Sequence, residues 1–211
     1  MKHLPQYIVK IATIDDNQYA EIISEELALS AAKRGVNINK RTPDYIQNKI
    51  KNGQAVIAIN TLNNEWIGFC CIEVWAHEKY LASSGLIISP KYRGLGISKS
   101  LKVKLFELCQ MKFPSAKFFS LTSNPVIMHI NHELGYTIVP YSDVMRDPLF
   151  ANGGSSWVDY ADLMSHPTGA AKHVAMVYDP FTPIQRKATS NISQYFFNKI
   201  KSIKRKVVRV A

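Results

Sequence analysis

The chain has 211 residues, 46% of them hydrophobic and 20% charged, the proportions of an ordinary soluble globular protein with material for one sizeable core. No run approaches the roughly 18 apolar residues of a spanning helix, and the amino end, MKHLPQYIVKIATIDD, holds only a short apolar stretch interrupted by Lys10, so neither a membrane span nor a signal peptide is expected. The net charge of +10 is uneven: Arg186, Lys187, Lys199, Lys201, Lys204, Arg205, Lys206 and Arg209 put +8 into residues 181–211, which lack Asp and Glu, and leave +2 for the rest, so the basic balance belongs to a tail and says little about the core's substrate.

Residues 7–13 (YIVKIAT) alternate like a strand, and Asp15 or Asp16 then offers a helix cap. Tyr19, Ile22, Ile23, Leu27 and Ala31 follow at helical spacing, and Gly35 stops that helix. Thr42 and Pro43 suit the cap and first turn of a second helix carrying Tyr45, Ile46 and Ile50 as an apolar stripe, which Gly53 ends. Residues 55–59 and 66–75 are strand-like runs joined by a polar turn through Asn63 and Asn64. The second run is apolar on both faces, with Trp66, Cys70, Ile72 and Val74 on one and Ile67, Phe69, Cys71 and Trp75 on the other, as in a central strand. Glu73 breaks the pattern on the face of Phe69, Cys71 and Trp75. Adjacent Cys70 and Cys71, with Cys109, make no ordinary bridge and no metal-ligand spacing. Reduced thiols in a cytoplasmic protein, without a metal, are the expectation.

Gly85 to Ile88 is an apolar strand that breaks at Ser89 and Pro90 and leads into Arg93-Gly94-Leu95-Gly96-Ile97-Ser98. Ile97, Leu101, Leu105 and Leu108 then recur at helical spacing, with Lys99, Lys102, Lys104 and Lys112 on other faces, and Pro114 closes the helix. Residues 117–122 (KFFSLT) are a strand; Ser123, Asn124 and Pro125 open a helix ending at Gly135; residues 136–141 are a further strand. Residues 142–172 read as a long loop with at most a short helix around 159–164, and 173–178 (HVAMVY) as the last strand. Ile192, Tyr195, Phe196, Ile200, Ile203 and Val207 form a stripe that Thr189 or Ser190 can cap, so the tail reads as a basic amphipathic helix. Alternating strands and helices without repeats indicate an α/β domain.

The glycine turn is the most informative local feature. A donor-rich, side-chain-poor turn before a helix aims backbone N–H groups at an anion, with the helix's positive end behind them, and glycine permits close approach and positive φ. It is not a dinucleotide fingerprint, because Lys99 stands where the third glycine belongs, and it is not a P-loop, because Gly-Lys-Ser/Thr is absent. On its own it reads either as a cradle for a phosphate-bearing ligand of another kind or as an ordinary turn whose glycines serve its geometry.

LIISPKYRGLGIS, Leu86 to Ser98, closely resembles the acetyl-CoA signature of the GNAT superfamily of N-acetyltransferases, in which a strand and a Pro-bearing segment lead into Arg/Gln-x-x-Gly-x-Gly/Ala. Arg93 and Gly96 match the first two fixed places, and Ser98 fills the last with a different small residue. The element order agrees, and SNPVIMHINHELGYTIVPY resembles the next motif, a helix ending in Leu-Gly-aromatic. The resemblance spans about residues 7–180 and identifies no subfamily. It implies a mixed central sheet flanked by helices, with a GNAT-like domain over residues 1–180 and a basic C-terminal extension over 181–211.

It also implies roles. The amides of Arg93, Gly94, Leu95, Gly96, Ile97 and Ser98 would bind the pyrophosphate of acetyl-CoA. Leu86, Ile87 and Ile88 would pair with the pantetheine arm and polarise the thioester carbonyl, and Asn124 matches a position that often contacts the cofactor. An amine would attack the acetyl carbonyl directly and needs a proton acceptor, for which Glu73 is the candidate; a solvated Glu at a strand end is the alternative. Asn131 stands where such enzymes often carry the Tyr that protonates the departing thiolate, a task Asn cannot perform; His129, His132 or water could replace it. Cys71 and Cys109 read as core residues rather than nucleophiles. Trp157, Asp159, Tyr160 and Asp162 either cradle a cationic amine or pack the loop down.

The implied function is acetyl transfer from acetyl-CoA to a primary amine of a small metabolite, amino acid or peptide. A non-catalytic acyl-CoA-binding regulatory module is the alternative, and a tail-mediated binder is a third. For the tail, an anionic membrane surface, nucleic acid, a partner protein, a homodimer contact and docking on the domain all stay open.

Overall fold

The computed structural model describes residues 5–33, 41–153 and 174–182. Contact density divides the chain after Phe181, and the fold is that of the first unit. The tail beyond Thr182, together with Trp157, Asp159, Tyr160 and Asp162, lies outside the described residues.

Seven strands form one sheet: β1 (Tyr7–Ile11), β2 (Ala55–Asn60), β3 (Trp66–Trp75), β4 (Tyr80–Ile88), β5 (Lys117–Thr122), β6 (Thr137–Val139) and β7 (Val174–Tyr178), in the order β1-β2-β3-β4-β5-β7-β6. All neighbours are antiparallel except β4 and β5. The helices are α1 (Ala20–Lys33), α2 (Pro43–Lys51), α3 (Ile97–Lys112), α4 (Pro125–Glu133), α5 (Tyr141–Met145) and α6 (Pro148–Gly153). Ile23 and Leu27 of α1 and Ile46 and Ile50 of α2 close over Ile57, Phe69, Cys71 and Ile87 on one sheet face, the pairing of an apolar helix stripe with a sheet that defines a layered α/β core. Ile97, Leu101, Leu105 and Leu108 are the buried stripe of α3. Among the described residues no helix is long and apolar enough to cross a membrane.

Several expectations change. The first cap is Thr13, whose backbone N–H donates to Asp16 Oδ2 at 2.8 Å; a 3-10 stretch, Ile14–Tyr19, precedes α1, and Asp16 is buried against Lys10 at 2.9 Å. β4 begins five residues earlier than its apolar run, at Tyr80, and the strand expected over 136–141 shrinks to Thr137–Val139. Where a long loop was expected, α5 and α6 bring Phe150 fully inside. Its ring sits 4.8 Å from that of Phe119 and 5.3 Å from Tyr80, edge-on contacts that aromatic quadrupoles favour. Six residues are too few for a periodic signal, so the pattern was silent.

Trp66 lies on the opposite face from the one its alternation indicates. Ala58 pairs with Gly68 but Ile59 with Trp66, so Ile67 is an extra residue in the ladder, and such a bulge flips the side chains beyond it. Trp66 thereby joins Phe69 and Cys71 beneath α1 and α2.

Lys102 is not on a solvated face of α3. It is 3% exposed, with its ammonium 5.8 Å from the centre of the Tyr136 ring, and burial holds its pKa below the ordinary lysine value. In that direction the unfolded chain binds the proton better, so the penalty is present below the unfolded pKa and vanishes as pH rises past about 10.5. Lys102→Met should therefore raise stability by about 1–3 kcal/mol at pH 7, with the gain shrinking toward pH 10.5 in urea titrations. A gain independent of pH would refute a buried charge.

Gly68 sits at a close approach of α3 to the sheet. A Cβ there would lie 2.8 Å from Ile88 Cδ1, 2.9 Å from Leu101 Cδ1 and 3.0 Å from the Ile87 carbonyl oxygen. Gly68→Ala should cost about 1–3 kcal/mol by overpacking, read as a lower urea midpoint at unchanged m-value.

Candidate active site

β4 is bonded along its whole length to β3 but to β5 only over Tyr80–Ala82, opposite Lys117–Phe119. Beyond Ala82 the two parallel strands part, and among the described residues no strand pairs with that edge of β4 up to Ile88, which lines a wedge. The parting coincides with a bulge against β3: Cys71 faces Ser84 and Phe69 faces Ile87, leaving Gly85 and Leu86 opposite the single Cys70. Gly85 takes φ +62°, a left-handed conformation for which glycine carries no Cβ penalty. A free strand edge inside a sheet leaves N–H and C=O groups to be satisfied by something other than protein.

The glycine turn follows the end of β4 and leads into α3. Gly94 and Gly96 are exposed with φ +84° and +77°, and a Cβ on either would meet nothing within 4 Å, so their backbone faces open space. Gly96 is the N-cap of α3 and offers no side-chain cap. Among the described residues, no backbone carbonyl accepts from Gly94, Leu95 or Gly96. Together with the first amides of a 16-residue helix, these donors make a backbone nest of the kind that can receive an anion. The Arg93 side chain plays another part: its Nε donates to the Ile88 carbonyl at 3.0 Å and its Nη2 pairs with Glu26 Oε1 at 2.5 Å, tying the turn to the end of β4 and to α1.

On the sheet face beneath α1 and α2 lies a polar cluster. Glu73 is buried opposite Ala82. Its Oε2 meets Lys49 Nζ at 2.7 Å, and its Oε1 accepts from the Tyr45 hydroxyl. The Tyr45 hydroxyl is also 3.7 Å from Cys71 Sγ. Burial, then the charge of Glu73, push the Cys71 thiol up to about 12, and burial pushes Cys109 to a similar value. Burial chiefly, with the neighbouring Cys71 and Glu73, raises Tyr45 as well, so Cys71, Cys109 and Tyr45 are neutral at pH 7 and neither thiol is a ready nucleophile. Beside them Arg41 Nη2 donates to Ser84 Oγ at 2.9 Å, and Ser84 is the residue opposite Cys71. The sequence pattern gave Tyr45 only an apolar role and passed over Lys49, Arg41 and Ser84; their meeting depends on register.

Asn131 is fully buried, donating to Ser120 Oγ at 2.8 Å, with its Oδ1 lacking a partner. It fastens α4 to β5 and presents no acidic proton. His129 is exposed beside Glu133 at 3.6 Å. Asn124 caps α4, its Oδ1 accepting from the Val126 N–H at 2.9 Å, just past the end of β5. Among the described residues no three His, Cys, Asp or Glu side chains are grouped to hold a metal ion.

No protein-family model matches the sequence, and no curated protein matches it. Solved structures do. A Mycobacterium tuberculosis protein in complex with CoA and a second ligand superposes with TM-score 0.57 at 14% identity, covering 82% of this chain and 98% of that one. N-acetylglutamate synthase from Neisseria gonorrhoeae, complexed with coenzyme A and N-acetyl-glutamate, gives 0.56 at 13% identity over 86% of this chain and 36% of the synthase. An acetyltransferase of the GNAT family from Staphylococcus aureus Mu50 gives 0.51 at 14% identity, over 65% and 88% respectively. The described domain, with its parted β4 and β5 and its open glycine turn, has the fold of the GNAT acetyltransferases.

Proposed function

We propose that the protein transfers an acetyl group from acetyl-CoA to a primary amine of a small metabolite, amino acid or peptide. The observation that carries this reading is the continuity of the free edge of β4 with the unbonded amides of Gly94, Leu95 and Gly96. That continuity suits a ligand with an amide-bearing arm and a pyrophosphate. Relatives of the same fold, at low identity, are described with CoA bound. In this reading the turn holds the pyrophosphate, the edge of Ser83–Ile88 pairs with the arm, and one edge N–H polarises the thioester carbonyl. The amine nitrogen attacks that carbonyl, the tetrahedral intermediate expels the CoA thiolate, and the amine's proton leaves to a base.

Glu73 is the base of this proposal. It faces Ala82, one register step before the wedge opens, so the proton reaches it through water or the Tyr45 hydroxyl. Lys49 and Tyr45 fix the carboxylate's position. Buried Asn131 cannot return a proton to the thiolate, so solvent supplies it. Asn131 also favours a second reading, a module that binds acyl-CoA without turnover; thiol release with a panel of amines separates the two.

Acetyl-CoA at 100 times its Kd should stabilise the fold by about 2.7 kcal/mol, seen as a raised melting temperature. Gly96→Asp, which sets a carboxylate against the pyrophosphate, should abolish that shift, and no shift with any acyl-CoA would sink the donor assignment. Glu73→Gln should lower kcat/KM by 100-fold or more, the scale of a lost general base. In stability measurements, Glu73→Gln and Lys49→Met should be coupled by about 0.5–3 kcal/mol. Coupling without an effect on turnover would leave Glu73 a structural anion.

A further inference from the structure

We infer that Arg41 is a carboxylate anchor for the acceptor, so that the amine acetylated belongs to an amino acid or another amine bearing a carboxylate; this rests on the acetyl-transfer reading above. Arg41 stands just before the cap of α2 and is 8% exposed. Its Nη2 holds Ser84 Oγ at 2.9 Å, and its Nε is buried without a partner. Among the described residues no carboxylate pairs with it, and the preceding segment 34–40, RGVNINK, contains no acid.

An arginine cannot shed its charge by losing a proton, and a buried charge without a counter-ion is costly. The buried carboxylate of the same face, Glu73, is already held by Lys49 and Tyr45. Tyr45 and Cys71 are neutral there. Among the described residues, Arg41 and Lys49 against Glu73 therefore leave this face one positive charge in excess, which one monoanion would balance. A planar guanidinium matches a carboxylate in geometry as well as charge. The position suits an acceptor: Ser84 lies on β4 beside Gly85, where the strand has left β5, so a carboxylate on Arg41 tethers its own amine along the strand that carries the thioester.

The test measures free-thiol release from acetyl-CoA by the full chain with the standard L-amino acids, their carboxamides, O-phosphoethanolamine, spermidine and kanamycin. At least one amino acid should be turned over, and its carboxamide should fall about 10- to 100-fold in kcat/KM, the loss of a charge-assisted hydrogen bond. Arg41→Met should erase the acid-over-amide preference while the melting shift with acetyl-CoA persists, a pattern that a merely structural arginine would not give. Arg41→Lys, which keeps the charge without the fork, should show an intermediate preference and serves where Arg41→Met fails to fold. Equal turnover of carboxamides, spermidine or kanamycin, preference for O-phosphoethanolamine, or a preference that survives Arg41→Met would overturn the inference and leave acetyl transfer standing. A melting shift without thiol release from any amine overturns it in favour of the non-catalytic module. Absence of any acyl-CoA shift fails the donor reading itself.

Discussion

The candidate site depends on β4 parting from β5 after Ala82. Strands inside a sheet normally satisfy both edges, and an unpaired buried amide costs about what a lost hydrogen bond does. Here, among the described residues, one edge of β4 beyond Ala82 is left without a partner strand, although its other edge keeps β3 through a bulge. The bulge needs positive φ at Gly85, where a Cβ would sit 3.4 Å from Cys71 Sγ, in ordinary contact, so the requirement for glycine is set by backbone conformation rather than by space. Divergence and bulge act together: one opens the wedge and the other re-aims the residues that line it.

The same departure explains why charge is buried on the α1–α2 face. Past Ala82 the β4 side chains there no longer have β5 beside them, and Ser84 takes the place a core residue would fill. Arg41, Lys49 and Glu73 gather along that seam with Tyr45 and Cys71 between them. A buried ion pair adds little net stability, because desolvation offsets attraction, and this is consistent with the proposal that the seam receives a polar guest. Lys102 is the contrast on α3: its stem packs in the core and its ammonium rests near the face of Tyr136.

Much of the sheet was legible because its signals are local. Alternation marked the middle strands, Thr42-Pro43 and Asn124-Pro125 marked helix starts that the side chains do cap, and the glycines around Leu95 marked the turn. What escaped was set by register or by distance along the chain. Trp66 changed faces because of a single extra residue at Ile67. Phe150 entered the core on a helix too short to show a period. Arg93 matched its motif, yet its side chain went to Ile88 and Glu26, because a resemblance fixes a position in the chain and not the neighbours that chain meets.

That difference also separates the two halves of the site. The proposed donor half is backbone: amides at Gly94, Leu95 and Gly96 and the edge of β4, all within 16 consecutive residues from Ser83 to Ser98. Backbone recognition needs only glycine and strand character, which any sequence can display. The proposed acceptor half is side chains from α2, β3, β4 and the residue before α2, with sequence separations of 24 for Lys49 and Glu73 and 43 for Arg41 and Ser84. Such a constellation can change its chemistry through single substitutions without disturbing the turn. If the main chain holds the donor as proposed, the fold is free to vary its acceptor, and Arg41, charged, buried and without a carboxylate partner among the described residues, is where the proposal places this chain's own choice.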